Sequence, residues 1–332
     1  MKLYIHSVGI ISAAGNNNAD DFLATIPAQE VGAIWLCREP DYSHYIPTMQ
    51  LRRMSKAVRM GIGASKIALQ KAGIEKPDAF SVGTAYGCLQ DTEVFLSKMV
   101  NQHEQMLTPT AFIQSTHNTV AGQIALLHGC NGHNLTFVHR GHSFEQAMIN
   151  TALYLGEHPQ HTVLVGGIDE LTATADAVLQ SFGKKHNAEG SSFFTVSNQP
   201  SPVCVNDITT LTTKDTASVA EAIAAMLQRN QWTMDDIDAV LVGVTGDATV
   251  DEAYELLSQL IFQQTPQLSF KNLCGDYPTA TAFALGLLLE CRYKGFPGEC
   301  IINQAPKTIG KTMMVSNYDD FWSIWLVQCE GQ

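Results

Sequence analysis

Segments with the composition of β-strands alternate with segments of helical periodicity along almost the whole chain, and that alternation limits the folds open to it more than any other feature. Strand composition marks Leu3–Val8, Phe80–Gly83, Leu135–Val138, Thr162–Val165, Ser192–Val196, Ala239–Val244 and Met313–Val315. Helical spacing of apolar residues marks Lys56–Ala72, Asp91–Met99, Thr119–His128, Phe144–Gly156, Val219–Arg229, Val250–Leu260 and Ala280–Tyr293. Such a series predicts an α/β protein with parallel strands covered by helices. Its 332 residues suit two packed halves or one large domain. The one clearly loop-like stretch near the middle is "GKKHNAEGSS", followed by "SNQPSP", with a strand–helix–strand set on either side. The expected division is therefore residues 1–182 and 183–332, two similar halves with the loop opening the second. A charge change at Lys184, within that polar loop, should be silent.

Composition narrows the function. Only 16% of residues are charged and 45% are apolar, so part of a largely neutral surface is available for a subunit interface. A net charge of −12 argues against nucleic acid or an anionic membrane as partner. It leaves room for an acidic carrier protein, which the basic run Arg52-Arg53-Met54-Ser55-Lys56 could dock. Eight cysteines without a CxxC or framework spacing point to reduced, buried thiols and a cytoplasmic address. The first residues, "MKLYIHSVGIISAAG", read as a strand entering a glycine turn, with neither a signal peptide nor a membrane span expected.

Taken singly, the motifs say little. "NLTFVHRGHSFEQAM" reads as a strand turning sharply into a helix, with Ser143 and Gln146 placed as a capping box. Enzymes hold nucleophiles at such junctions, yet the tip here is Gly141. His139 and His142, with His128 and His133 nearby, lack a placed third ligand, so no metal is expected. Asp169-Glu170 could form an acid/base pair, or equally cap a helix. "GVTGDAT" lacks the lysine of a phosphate loop and no GxGxxG follows a strand, so no nucleotide or other cofactor is expected. "CGDYPTATAFALGLLLE" reads as a glycine turn feeding a buried helix.

Their order is informative. "VGIISAAGNN", "GTAYGCLQDTEVFL", "STHNTVAGQIALLHGCNGHNLTFV", "VLVGGIDE", "AEGSSFFTV", "GVTGDAT", "KNLCGDYPTATA" and "MVSNYDDFWSIWL" together resemble the β-ketoacyl-acyl-carrier-protein synthases of the thiolase fold. The resemblance covers nearly the whole chain and is nearest to divergent synthase-like proteins of aryl polyene and flexirubin pigment clusters, with "PTAFIQSTHNTVAGQIAL" the most familiar stretch. It implies two similar halves with helices layered around two sheets. In the family an elbow cysteine carries the acyl chain, and two histidines assist decarboxylation of the malonyl extender. Alignment through Gly122 and Gly132 puts the cysteine position at Gly141. The histidine positions fall at Thr245 and Asp276, whereas the family lysine is kept as Lys271. The C-terminal glycine loop has become Asn317-Tyr318-Asp319-Asp320-Phe321-Trp322, and the region 171–215 is shorter than usual.

The resemblance therefore implies a chain without a catalytic set, of chain-length-factor type. Its partner would be a catalytic ketosynthase, or a second copy of itself, working with acyl carrier protein. In that arrangement Leu135, Phe137 and Val138 belong to the interface strand. The stretch Ala111–Asn118 approaches the partner's acyl tunnel, where Phe112 or His117 limits chain length by bulk. The other reading is an enzyme of altered acyl chemistry (decarboxylase, hydrolase or acyltransferase) using Cys88, Cys274, His139, His142, Thr245 or Asp276.

Overall fold

The computed structural model describes residues 2–24, 33–107 and 109–330, without the side chains of Thr110 and Ala111. The strands are β1 (Leu3–Ser12), β2 (Gly15–Asn16), β3 (Ala79–Gly83), β4 (Asn134–Phe137), β5 (Thr162–Asp169), β6 (Gly190–Ser197), β7 (Val203–Thr212), β8 (Ala239–Val242), β9 (Gln267–Ser269), β10 (Lys311–Tyr318) and β11 (Phe321–Cys329). The helices are α1 (Thr48–Leu51), α2 (Lys56–Ala72), α3 (Leu89–Asn101), α4 (Pro109–Gln114), α5 (Thr119–Leu127), α6 (Ser143–Glu157), α7 (Ala173–Ser181), α8 (Thr216–Arg229), α9 (Ala248–Leu260), α10 (Lys271–Cys274) and α11 (Ala280–Cys291). Every element expected from the sequence is present. The reading missed β2, β7, β9 and β11, and the helices α1, α4, α7 and α10. Asn206 and Asp207 break the apolar pattern of β7, and β9 is only three residues long.

Alternation along the strands sorts side chains between cores. In β5, Val163 and Val165 enter one cluster, with α6 and α11, while Leu164 between them enters another, with α2 and α5. In β10, Met314 joins the α6–α11 cluster, while Met313 and Val315 pack with α8 and α9. The result is five layers: α2 and α5, a sheet, α6 and α11, a second sheet, then α8 and α9. The middle layer must accept apolar contact on all sides, and α11 does so, with every residue buried except Glu290.

The two sheets are joined edge to edge. Leu3, Tyr4 and Ile5 of β1 pair with Val205, Cys204 and Val203 of β7, giving one path, β4-β3-β5-β6-β1-β7-β11-β10-β8-β9. Read outward from that junction, both halves have the same order and directions. In each, three parallel strands are followed by one antiparallel strand that pairs with the first strand of its half. Since β6 lies between β5 and β1, we propose that the halves divide at 198–202 rather than at 182/183. The 183–189 segment is also less loop-like than its composition suggests. Glu189 is fully buried, accepting from the N–H groups of Cys37 (2.8 Å) and Leu171 (3.1 Å) and pairing with Lys56.

Glu145, on α6, is fully buried in the middle layer, where its Oε1 accepts a hydrogen bond from Thr281 Oγ1 at 2.6 Å. Burial pushes its carboxyl up from 4.5 to about 7. Between those values the folded protein keeps a proton that the unfolded chain releases, so this group's stabilising contribution is lost as pH rises through that window. The loss is on the order of 3 kcal/mol at most. Glu145→Gln keeps an acceptor for Thr281 and removes the titration. Thermal melts should show the variant more stable than the parent at pH 8 and no more stable at pH 4.5. An equal difference at both values would refute the assignment.

Candidate functional site

The turn between β4 and α6 is an elbow with its tip closed. After Phe137 the chain makes a 3-10 turn, Arg140–His142, in which Arg140 takes the left-handed φ of 51°. Ser143 does not form the expected capping box. Its Oγ accepts from the His139 N–H (2.9 Å) and donates to the Arg140 carbonyl (2.8 Å), because the 3-10 turn makes it the first residue of α6 rather than the cap. Gly141 is buried against the β10–β11 turn. A Cβ placed on it would lie 2.8 Å from Phe321 Cβ and 2.9 Å from Tyr318 Cβ, closer than real carbons approach. The volume into which a side chain at 141 would project is thus already filled.

The neighbouring histidines brace this contact. His142 is buried, and its Nε2–H donates to the Trp322 carbonyl at 2.9 Å; burial lowers its basicity. Its ring stands edge-on to Phe321, with centroids 5.0 Å apart. His139 is exposed and packs edge-on to Phe321 at 6.2 Å. Among the described residues no three His, Cys, Asp or Glu side chains are placed to hold a metal ion.

Thr245 and Asp276 share a cleft of about 600 Å3 with Lys184, Lys185, Asp247 and Asn317. Thr245 caps its own loop: its N–H donates to Asp251 Oδ1 at 2.8 Å. Asp276 is enclosed by cations. Lys271 Nζ lies 2.7 Å from Oδ1, an ion pair without the angle of a directed hydrogen bond, and Lys184 Nζ lies 3.5 Å from Oδ2. Burial opposes the charged carboxylate, but Lys271 and Lys184 outweigh it and hold Asp276 below its ordinary range. Lys271 Nζ also donates to the Asn317 carbonyl at 2.7 Å, and Lys184 pairs with Asp319 at 2.7 Å while sitting 3.9 Å above the Tyr318 ring. Lys184 is therefore a structural cation, contrary to the expectation that a charge change there would be silent. Asp276 is likewise neutralised, not a free negative charge.

The remaining sequence candidates fall elsewhere. Cys88 and Cys274 are fully buried; burial pushes the Cys88 thiol up to about 12 and Cys274 well above its usual value. Asp169 accepts from Thr84, Ala85, Tyr86 and Thr279, and Glu170 accepts from the N–H groups of Ala57 and Gln90. These are capping roles, though for helices and loops distant in sequence. Phe112 is exposed and packs on Phe95 at 5.5 Å; His117 is exposed and covers Gly87. In the basic run Arg52 and Arg53 are exposed, while Lys56 is withdrawn to Glu189. β4 is the edge strand, bonded to β3 only, and Leu135 and Val138 are exposed at 42% and 51%. Phe137 is half-buried against the central cluster. The sequence reading missed Lys184 and Lys185 as site residues, and gave Tyr318 and Phe321 only as part of the altered C-terminal loop.

Residues 29–234 match the family profile described as "Beta-ketoacyl synthase, N-terminal domain". Solved structures of similar fold include the ishigamide ketosynthase/chain length factor, with a TM-score of 0.80 and 14% identity over 99% of each chain. A beta-ketoacyl synthase from Burkholderia phymatum STM815 has a TM-score of 0.79 and 16% identity, over 99% of this chain and 100% of that one. A chain from the ketosynthase ApeO in complex with its chain length factor ApeC, from Xenorhabdus doucetiae, has a TM-score of 0.79 and 17% identity over 98% of each. No curated protein sequence matches significantly. Among the described residues no helix is long and apolar enough to cross a membrane.

The buried pair gives a direct test. Asp276→Ala leaves Lys271, whose side chain is 1% exposed, without its counter-charge. The expected cost is about 3–5 kcal/mol. Asp276→Leu combined with Lys271→Met removes both charges and should recover most of that loss in denaturant melts. A double variant no more stable than Asp276→Ala would show that the pair is not what the single change breaks.

Proposed function

Because the chain belongs to the β-ketoacyl synthase family, we propose that it is a non-catalytic ketosynthase-like subunit of chain-length-factor type. It pairs with a condensing synthase, and the pair extends an acyl or polyketide chain delivered by acyl carrier protein. The observation that carries this reading is Gly141: the residue at the family's nucleophile position has no side chain, and Tyr318 and Phe321 occupy the space one would need. Thr245 and Asp276 stand at the histidine positions and are engaged with Asp251 and with Lys271 and Lys184. Losing one catalytic group commonly costs orders of magnitude in rate, and here the set is replaced together.

Pairing is supported by the open edge of β4, whose exposed Leu135 and Val138 ask for cover. Two of the similar structures are described as a ketosynthase with a chain length factor. In the proposed dimer β4 meets the partner's corresponding strand, and the exposed Phe112 and His117 reach toward the partner's acyl tunnel. The products we favour are aryl polyenes or flexirubin-type pigments, as the stretch "PTAFIQSTHNTVAGQIAL" suggests. Altered acyl chemistry through Cys88 or Cys274 has little support, since both thiols are buried and hard to ionise.

Intact mass spectrometry after incubation with acyl- and malonyl-carrier protein tests the proposal. Neither the parent chain nor Gly141→Cys should gain an acyl group or condense malonyl units; the variant should also be destabilised by about 1–3 kcal/mol, as overpacked sites are. Stable acylation at Cys88 or Cys274, lost on change to serine, would overturn the non-catalytic reading. Condensation by Gly141→Cys would show instead that Thr245 and Asp276 do not stand at the histidine positions.

A further inference from the structure

Residues 130–133 join α5 to β4 outside any helix or strand, and they contain the one Asn-Gly step of the chain, Asn131-Gly132. Both residues are exposed. Their neighbours are anchored. The Cys130 N–H donates to the Ala125 carbonyl at 2.9 Å, and the His133 carbonyl accepts from the Phe80 N–H at 2.8 Å, at the head of the β3–β4 ladder. Gly132 itself is kept small by close approach, since a Cβ there would lie 2.2 Å from the Asp78 carbonyl oxygen. Between the anchors the polar groups are free. Among the described residues the Asn131 side chain makes no hydrogen bond, and the Gly132 N–H has no acceptor.

An asparagine amide followed by glycine is open to attack by its own backbone, because glycine has no Cβ to shield the nitrogen or restrict its approach. The Gly132 nitrogen gives its proton to solvent base and bonds to Asn131 Cγ; the Cγ–Nδ2 bond breaks, and ammonia leaves. Water then opens the cyclic imide at either carbonyl. One opening gives aspartate. The other gives isoaspartate, which routes the main chain through the former side chain and adds a methylene to the backbone. Water is consumed, ammonia is released and nothing is oxidised. A helix, or a hydrogen bond on the Gly132 N–H, would block the attack, and the structure has neither. We propose that Asn131 is a deamidation site of the folded protein and that its isoaspartyl product loosens β4 from β3. The added methylene falls between two anchors, beside a glycine with no room to move toward Asp78. β4 is four residues long and bonded to β3 alone, so it is the element that can give way. The aspartyl product changes only the charge of an exposed position. None of this rests on the pairing proposal.

Peptide mapping by mass spectrometry, on intact protein aged at pH 8, tests the site. Amide-to-acid conversion at Asn131, with isoaspartate among the products, should proceed within tenfold of its rate in a free peptide of residues 128–135. Asn131→Gln should remove it. Hydrogen exchange then tests the consequence. In the isoaspartyl fraction, separated by chromatography, the β3 and β4 amides, Phe80 among them, should exchange at least tenfold faster than in fresh protein. Asn131→Asp, which adds the charge without the methylene, should match fresh protein. Conversion slower than a tenth of the peptide's rate would overturn the site. Exchange in the isoaspartyl fraction as slow as in fresh protein, or equally fast in Asn131→Asp, would overturn the loosening by a lengthened backbone.

Discussion

The packing of the β10–β11 turn onto Gly141 ties the molecule together. Tyr318 and Phe321 bracket the glycine, and the Trp322 carbonyl holds His142 one residue later. From its other side the same turn receives Lys271 at the Asn317 carbonyl and Lys184 at Asp319 and the face of Tyr318. Tyr86, after β3, adds a hydrogen bond between its hydroxyl and that of Tyr318 at 2.6 Å. One two-residue hairpin turn, Asp319-Asp320, thereby fastens the elbow of the first half to the cleft of the second. A side chain at 141 and a flexible glycine loop at 317–322 are alternatives to this arrangement, and the structure holds neither.

The charges at the cleft follow the same logic. An unpaired buried carboxylate at 276 would be costly, so lysines from two directions enclose it. Such pairs add little net stability compared with apolar packing, but breaking one is expensive. What the pair secures is an arrangement: Lys271 anchors the Asn317 carbonyl only while its ammonium is compensated. Asp247 repeats the device at the rim, where Lys185 holds its carboxyl at about 2. Fixed ion pairs hold Asp247 and Asp276 in this cleft.

Much of the fold could be read directly from local pattern. Ser55 and Gly73 bracket α2 as a polar start and a left-handed stop, and the alternation in Val163–Val165 or Met313–Val315 assigns faces without further information. Gly141 was identifiable by its place in the strand-to-helix turn and by the order of motifs around it. What filled the space beside it was not, because Tyr318 and Phe321 come from the far end of the chain. The roles of Lys184 and Glu170 were hidden for the same reason. A lysine in a polar loop and a glutamate after a strand carry no local sign that their partners are Asp276, Ala57 and Gln90, each some 80 residues or more away. The division we propose at 198–202 differs from 182/183 because the loop-like composition of 183–189 masks a segment that runs directly into the buried strand β6.

The account's central claim is that the chain acts by association and not by chemistry of its own. Reconstitution tests it most directly. The chain is combined with a cysteine-bearing ketosynthase of the same family, the pair is sedimented, and chain extension is assayed with each component alone and together. The account predicts a one-to-one complex, with extension that needs the partner's cysteine and a product length that shifts when Phe112 or His117 is changed. Val138→Asp, which puts a charge at the open edge of β4, should abolish the complex. Extension by the chain alone, or a Val138→Asp protein that supports the partner as well as the parent does, would contradict it.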